Sequence, residues 1–262
     1  MPDPRLEPSA LRVIRAFRPA THALEQRTFA NGYERVAYVG LLRKITFDAH
    51  AARSLAEAPM EGVLIAPHSP IAVLARSVAE SAGQFARWFS NDMSLEERAF
   101  ELLAAFLAGE LGRLKHVPHT EGWKGRIQQV QDLVSTLTNE VEQHPRWKTL
   151  NSDDRKRIRK GHWKPVSKSA LLGELGYGPK AQAGLYDWMS DAAHGGTRLL
   201  QQLAGDEPDV RRYVRSGLNF VAASVALLLF RLAEEESVVQ AFLTSHPEVQ
   251  HAVDLQVNLA RT

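Results

Sequence analysis

Three side chains at helical spacing raise the question of chemistry. Tyr186, Ser190 and His194 stand at i, i+4 and i+8 in "LYDWMSDAAHGG", residues 185–196. On an α-helix that spacing sets them along one stripe. Asp187 and Asp191 lie on an adjacent line, with Asp191 three residues before the histidine. A carboxylate one turn away and a helix C-terminus both favour the protonated imidazole, and Gly195 and Gly196 permit a turn directly after it. Two readings follow. In one, His194 is a general acid or base, Asp191 orients it, and Ser190 and Tyr186 bind a substrate. In the other, the stripe is a partly buried hydrogen-bond network that fixes the register of packed helices.

A second concentration of reactive types is basic. From Arg146 to Lys168 there are nine Lys/Arg against two Asp, with Trp147, His162 and Trp163 interleaved. Cations of this kind neutralise phosphates and release counterions, and aromatic rings stack on unpaired bases. Arg155, Lys156, Arg157, Arg159, Lys160 and Trp163 are therefore candidate nucleic-acid contacts; the plainer alternative is a solvated surface excursion. Metal is a third possibility. Glu248–His251 matches the Glu-x-x-His element of di-iron bundles once, Asp191–His194 is a carboxylate variant, and Glu80 and Glu110 are spare carboxylates. Four-residue matches of this sort arise by chance, and neither a metal nor another cofactor is expected. The chain has no cysteine, which excludes disulfides and thiolate chemistry. Phosphate-binding glycine loops and the Gly-x-Ser-x-Gly elbow are absent.

The elements that must position these residues are helices. Helical periodicity is widespread, and no alternating run bounded by turn dipeptides suggests a hairpin. With 262 residues, 44% hydrophobic and 24% charged, the chain is expected to form an all-α bundle of about eight to ten helices. Helices are expected over about 8–17, 21–57, 70–90, 94–116 and 121–143. The first long one would turn Phe29, Tyr33, Val36, Val39 and Ile45 inward, its glycines allowing close packing. Ser94 and Glu97 form a capping-box pattern. Residues 144–180 read as a basic excursion with two short helices. The motif helix, a central apolar helix at about 207–235 and a last helix at about 238–259 follow. "LNFVAASVALLLF", 218–230, carries Asn219 and Ser224 and is short for a membrane span; a buried core helix is expected, with no membrane partner. The first residues lack an uninterrupted apolar core, so no signal peptide is expected. Residues 1–60 read as a helical extension and 61–262 as the bundle.

"LYDWMSDAAHGG" resembles the Tyr-x-x-Leu-Ser-x-x-x-His signature of a family of mostly bacterial helical proteins, with Met189 where Leu is usual. "LARSVAE", 74–80, resembles that family's Ala-Arg-Ser-x-x-Glu element. The resemblance spans roughly residues 65–235. The family is similar in architecture to HEPN bundles, which include antiviral and toxin-type RNases. The resemblance implies a HEPN-like core and binding or processing of RNA in phage defence or stress; the lack of cysteine and of a signal peptide pattern sets the expectation of a cytoplasmic location. HEPN nucleases carry an Arg four to six residues before the His; here those positions are Ser190, Met189 and Trp188. Arg76, with Glu80 one turn on, would supply the missing cation from another helix, or else the two form an i,i+4 ion pair. The expected site is a cleft lined by Arg76, Glu80, Tyr186, Ser190 and His194. The alternative is a non-catalytic module that docks a protein partner or a second copy of itself.

Overall fold

Punctuation in the sequence accounts for most of the elements. The computed structural model describes residues 8–57, 68–90, 93–118, 120–162, 166–182 and 207–262. Helix α1 covers Pro8–Thr21 and runs into a 3₁₀ turn at His22–Gln26. Helix α2 is Gly32–Glu57, and α3, His68–Phe85, ends in a π turn at Ala86–Ser90. Helix α4, Leu95–His116, starts as the capping pattern demands: the Ser94 side chain accepts from the Glu97 backbone N–H. After a 3₁₀ turn at Glu121–Trp123 come α5, Lys124–Gln143, and the short helices α6, Pro145–Thr149, α7, Ser152–Arg159, and α8, Lys168–Leu175. The chain closes with α9, Glu207–Glu235, α10, Ser237–Ser245, and α11, Pro247–Arg261. No strand occurs among the described residues, and the protein is an all-α, multi-helix fold.

Several expected boundaries shift, each for a local reason. The helix expected over 21–57 is interrupted at residues 27–31. Asn31 Oδ1 accepts from the Glu34 N–H at 2.8 Å, and Glu34 Oε2 accepts from the Ala30 N–H at 2.9 Å. Asn31 thus caps the helix, and Glu34 reaches back as in a capping box but to the N–H one residue before the cap. The restart changes which face of α2 turns inward: Tyr38, Leu42 and Ile45 are buried, while Val36 is 59% exposed. Gly32 and Gly40 face open space, so they do not serve close packing; Gly83 does, since a Cβ there would overlap the Leu171 carbonyl of α8. The basic excursion holds three short helices instead of two. The last expected helix is split at His246–Pro247, where proline takes the first position of α11.

The chain divides into two compact units, one of Met1–Thr28, Tyr38–Asn91 and Lys168–Thr262, the other of Phe29–Ala37 and Asp92–Ser167. In the first unit α9 is the central helix, packed by α3, α11, α1 and α10. Its segment Val214–Glu235 is long and apolar enough to cross a membrane, yet its side chains from Val221 to Leu229 are all buried inside this unit. Tyr177, after α8, reaches α9 through its hydroxyl, which bonds Ser224 Oγ at 2.8 Å. In the second unit α4 and α5 pair, and Phe100, Leu107, Leu137, Val141, Trp147 and Ile158 form one core cluster.

Candidate nucleic-acid interface

The part of the basic excursion up to His162 folds onto the core of the second unit, while α8 belongs to the first. Trp147 of α6 is only 6% exposed and Ile158 of α7 1% exposed. These two side chains pin both short helices onto α4 and α5. Each helix is capped: His144 Nδ1 accepts from the Arg146 N–H, and Asn151 Oδ1 accepts from the Asp154 N–H. The end of α7 is a Schellman motif. Gly161 has φ +71°, the His162 N–H returns to the Arg157 carbonyl, and the Gly161 N–H to the Ile158 carbonyl. A Cβ on Gly161 would lie 3.3 Å from Leu111 Cβ, so this turn seats tightly on α4. The result is a short cationic helix held in one orientation.

Its cations fall into two groups. Arg155 donates to the carbonyls of Trp147 and Lys148 at 3.1 and 2.9 Å. Arg159 donates to Glu142 at 2.7 Å. Both guanidiniums lie over the Trp147 ring, at 5.8 and 5.3 Å from its centre, in cation–π range. Arg146 pairs with Glu97 at 2.7 Å. These arginines are engaged within the unit, Arg159 with a side chain that stays 57% exposed. Lys148, Lys156, Arg157 and Lys160 are exposed; Arg157 has only a 3.9 Å approach to Asp154. Trp147, buried under its arginines, presents no face to a base. Trp163 lies outside the described residues.

A different tryptophan is available. Trp123, at the turn between α4 and α5, is 39% exposed with the Arg126 guanidinium 5.6 Å above its ring. Gly161 packs on Leu111, and the helix rises only about 7.5 Å from there to its end at His116. Lys115, His116, Trp123 and Arg126 are all exposed, at and beside the connection from α4 to α5. Trp123 and Arg126 were not singled out from sequence. The available signal was "EGWKGR", where two glycines and two cations frame a tryptophan just before the apolar periodicity of α5 begins.

The other expected site is only partly described. Tyr186, Ser190 and His194 lie outside the described residues. Arg76 and Glu80 are together: Arg76 Nε donates to Glu80 Oε1 at 2.8 Å, with side chains 15% and 25% exposed. Beside them, Ser77 Oγ donates to Asp48 Oδ2 at 2.6 Å, and Lys44 Nζ donates to the same oxygen at 2.6 Å. Asp48 is buried, so this cluster ties α2 to α3. Of the carboxylates considered for metal, Glu110 pairs with Arg113 at 3.0 Å, and Glu248 and His251 are exposed on α11. Among the described residues no group of three or more His, Asp or Glu is arranged to hold a metal ion. The chain matches no family model, no curated protein and no solved structure.

Proposed function

We propose that the protein binds single-stranded RNA through the second unit, with Lys156, Arg157 and Lys160 on the phosphates and Trp123 stacking on a base. The observation that carries this reading is the fixed presentation of α7: a buried Trp147, a buried Ile158 and a left-handed Gly161 hold its exposed cations in place. A helix already ordered loses little entropy on binding, and phosphate contacts release counterions whatever the sequence. The HEPN resemblance supports the same ligand, and with it a cytoplasmic role in phage defence or stress.

Binding without cleavage is the form of the proposal. Arg76, the candidate for the missing HEPN arginine, bonds Glu80 on its own helix, next to the Asp48–Ser77–Lys44 tie. That arrangement favours a structural role for this cluster. The test is fluorescence anisotropy with a single-stranded RNA of about 20 nucleotides. Reversing Lys156, Arg157 and Lys160 to Glu should abolish binding. Trp123→Ala should weaken it by roughly 5- to 100-fold, the worth of one stacked base, and should leave binding of duplex RNA unchanged. Full affinity in the triple variant overturns the proposal.

A further inference from the structure

The first unit carries a cleft of about 730 Å³ between the end of α1, with its 3₁₀ turn, and the middle of α2. That volume is in the range of small-molecule sites. Arg18, His22 and Glu25 line one side, and Arg43, Phe47 and His50 the other. On α2 the three are spaced at four and three residues, so one helix face supplies them all. None of this lies in the basic segment, and the inference does not rest on the RNA reading.

The charges in the cleft do not cancel. Among the described residues its one carboxylate is Glu25, and it is taken: Arg43 donates to Glu25 Oε2 through Nε at 3.1 Å and through a terminal nitrogen at 2.6 Å. The hydrogen bond from Arg43 holds the Glu25 carboxyl below its usual range. Just behind, Arg53 and Arg15 both approach Glu57, at 3.5 and 2.8 Å. Arg18 has neither ion pair nor hydrogen bond among the described residues, although it sits near enough to bias both Glu25 and His50. Burial, then Arg53 and Arg18, push the His50 imidazole below its usual range. Among the described residues the cleft is short of one anion.

Its walls add a second requirement. The Phe47 ring is 73% exposed at the mouth, uncovered by the rest of the unit. Thr21 and Thr46 spend their hydroxyl protons on the Phe17 and Leu42 carbonyls of their own helices, so toward the cleft their oxygens accept. Donors from Arg18, His22 and His50 come from separate positions instead of one planar fork. Separate donors suit the several oxygens of a phosphate better than a flat carboxylate, which matches a single guanidinium.

We infer that this cleft binds a phosphorylated small molecule carrying a planar ring, of nucleoside monophosphate size. The phosphate is held by Arg18, His22 and His50, the ring lies on Phe47, and ring or sugar donors meet Thr21 and Thr46. Adenosine 5′-monophosphate is the probe, with ribose 5-phosphate and adenosine as half-ligands, each titrated by calorimetry. Wild type should bind the monophosphate and should bind adenosine at least tenfold more weakly. Arg18→Ala should weaken the monophosphate at least tenfold. Phe47→Ala should weaken it severalfold while leaving ribose 5-phosphate unchanged. Arg18 and Phe47 are both exposed, so these variants keep the fold, which a circular-dichroism melt checks. RNA binding should be unaffected in both, because the cationic face of α7 is untouched. Absence of monophosphate binding at millimolar concentration, or equal binding by wild type and Arg18→Ala, overturns the inference.

Discussion

The molecule's two cationic regions are made in opposite ways. The α7 region is dense in sequence, and much of that density is consumed internally: Arg146, Arg155 and Arg159 bond Glu97, two carbonyls and Glu142. What remains exposed is Lys148, Lys156 and Lys160, Arg157, and Arg159 beside its bond to Glu142. The cleft of the first unit is sparse in sequence, drawn from residues 18–25 and 43–54, yet it is concave and leaves Arg18 without an ion pair among the described residues. A run of charge therefore says little about available charge. Availability depends on which side chains the core recruits, and concavity depends on where helices part.

That comparison can be broken at its foundations. The largest effect belongs to Trp147→Ala. Removing a buried Trp costs about 3–5 kcal/mol in a core, and here it also strips Arg155 and Arg159 of their ring. Denaturant unfolding followed by circular dichroism should reveal an early transition of the second unit. If the melt is unchanged, Trp147 is not the anchor described and α7 is not rigidly presented.

A smaller effect is expected at a cation of the first unit already committed to a partner. Arg76→Gln should lower stability by about 1 kcal/mol, as for a partly buried ion pair, and should leave RNA affinity within about twofold. A large loss of RNA affinity with stability intact would return Arg76 to a phosphate-binding role.

The smallest effect concerns pH. Burial foremost, and Arg146 with it, hold the His144 imidazole below its usual range against the opposing pull of Glu96. Its Nδ1 accepts the Arg146 N–H, which requires that nitrogen to be unprotonated. Between the lowered folded pKa and the unfolded value, the unfolded chain binds more protons, so stability rises with pH through that window. It is fully present above the unfolded pKa and declines as pH falls toward the folded one. His144→Asn keeps a cap acceptor and removes the titration. Thermal melts at about pH 5.5 and 7.5 should show a shallower pH slope in the variant; an identical slope would mean His144 does not titrate with folding.

The same residues show what was legible in the sequence. Ser94–Glu97 and the apolar run of α9 carry local signals, and both elements form where expected. The restart of α2 carries a related local signal, Asn31–Glu34, with Asn where Ser is usual. The split before Pro247 was signalled by proline itself. The fate of Trp147 was not legible, since burial of a tryptophan beside arginines depends on α4 and α5 arriving beneath it. The cleft was not legible either, because no local pattern relates Arg18 to His50 across an interrupted helix. Tyr186, Ser190 and His194 lie outside the described residues, and their stripe stands on spacing alone.

The measurement that bears most directly on the account is the salt dependence of single-stranded RNA binding, in wild type and in a variant with Lys156, Arg157 and Lys160 changed to Gln. Each phosphate contact on a single strand contributes about −0.7 to the slope of log K against log salt. Loss of three contacts should make the slope shallower by about 2, with the melting temperature unchanged. Equal slopes in the two proteins would contradict the claim that α7 presents its cations to RNA.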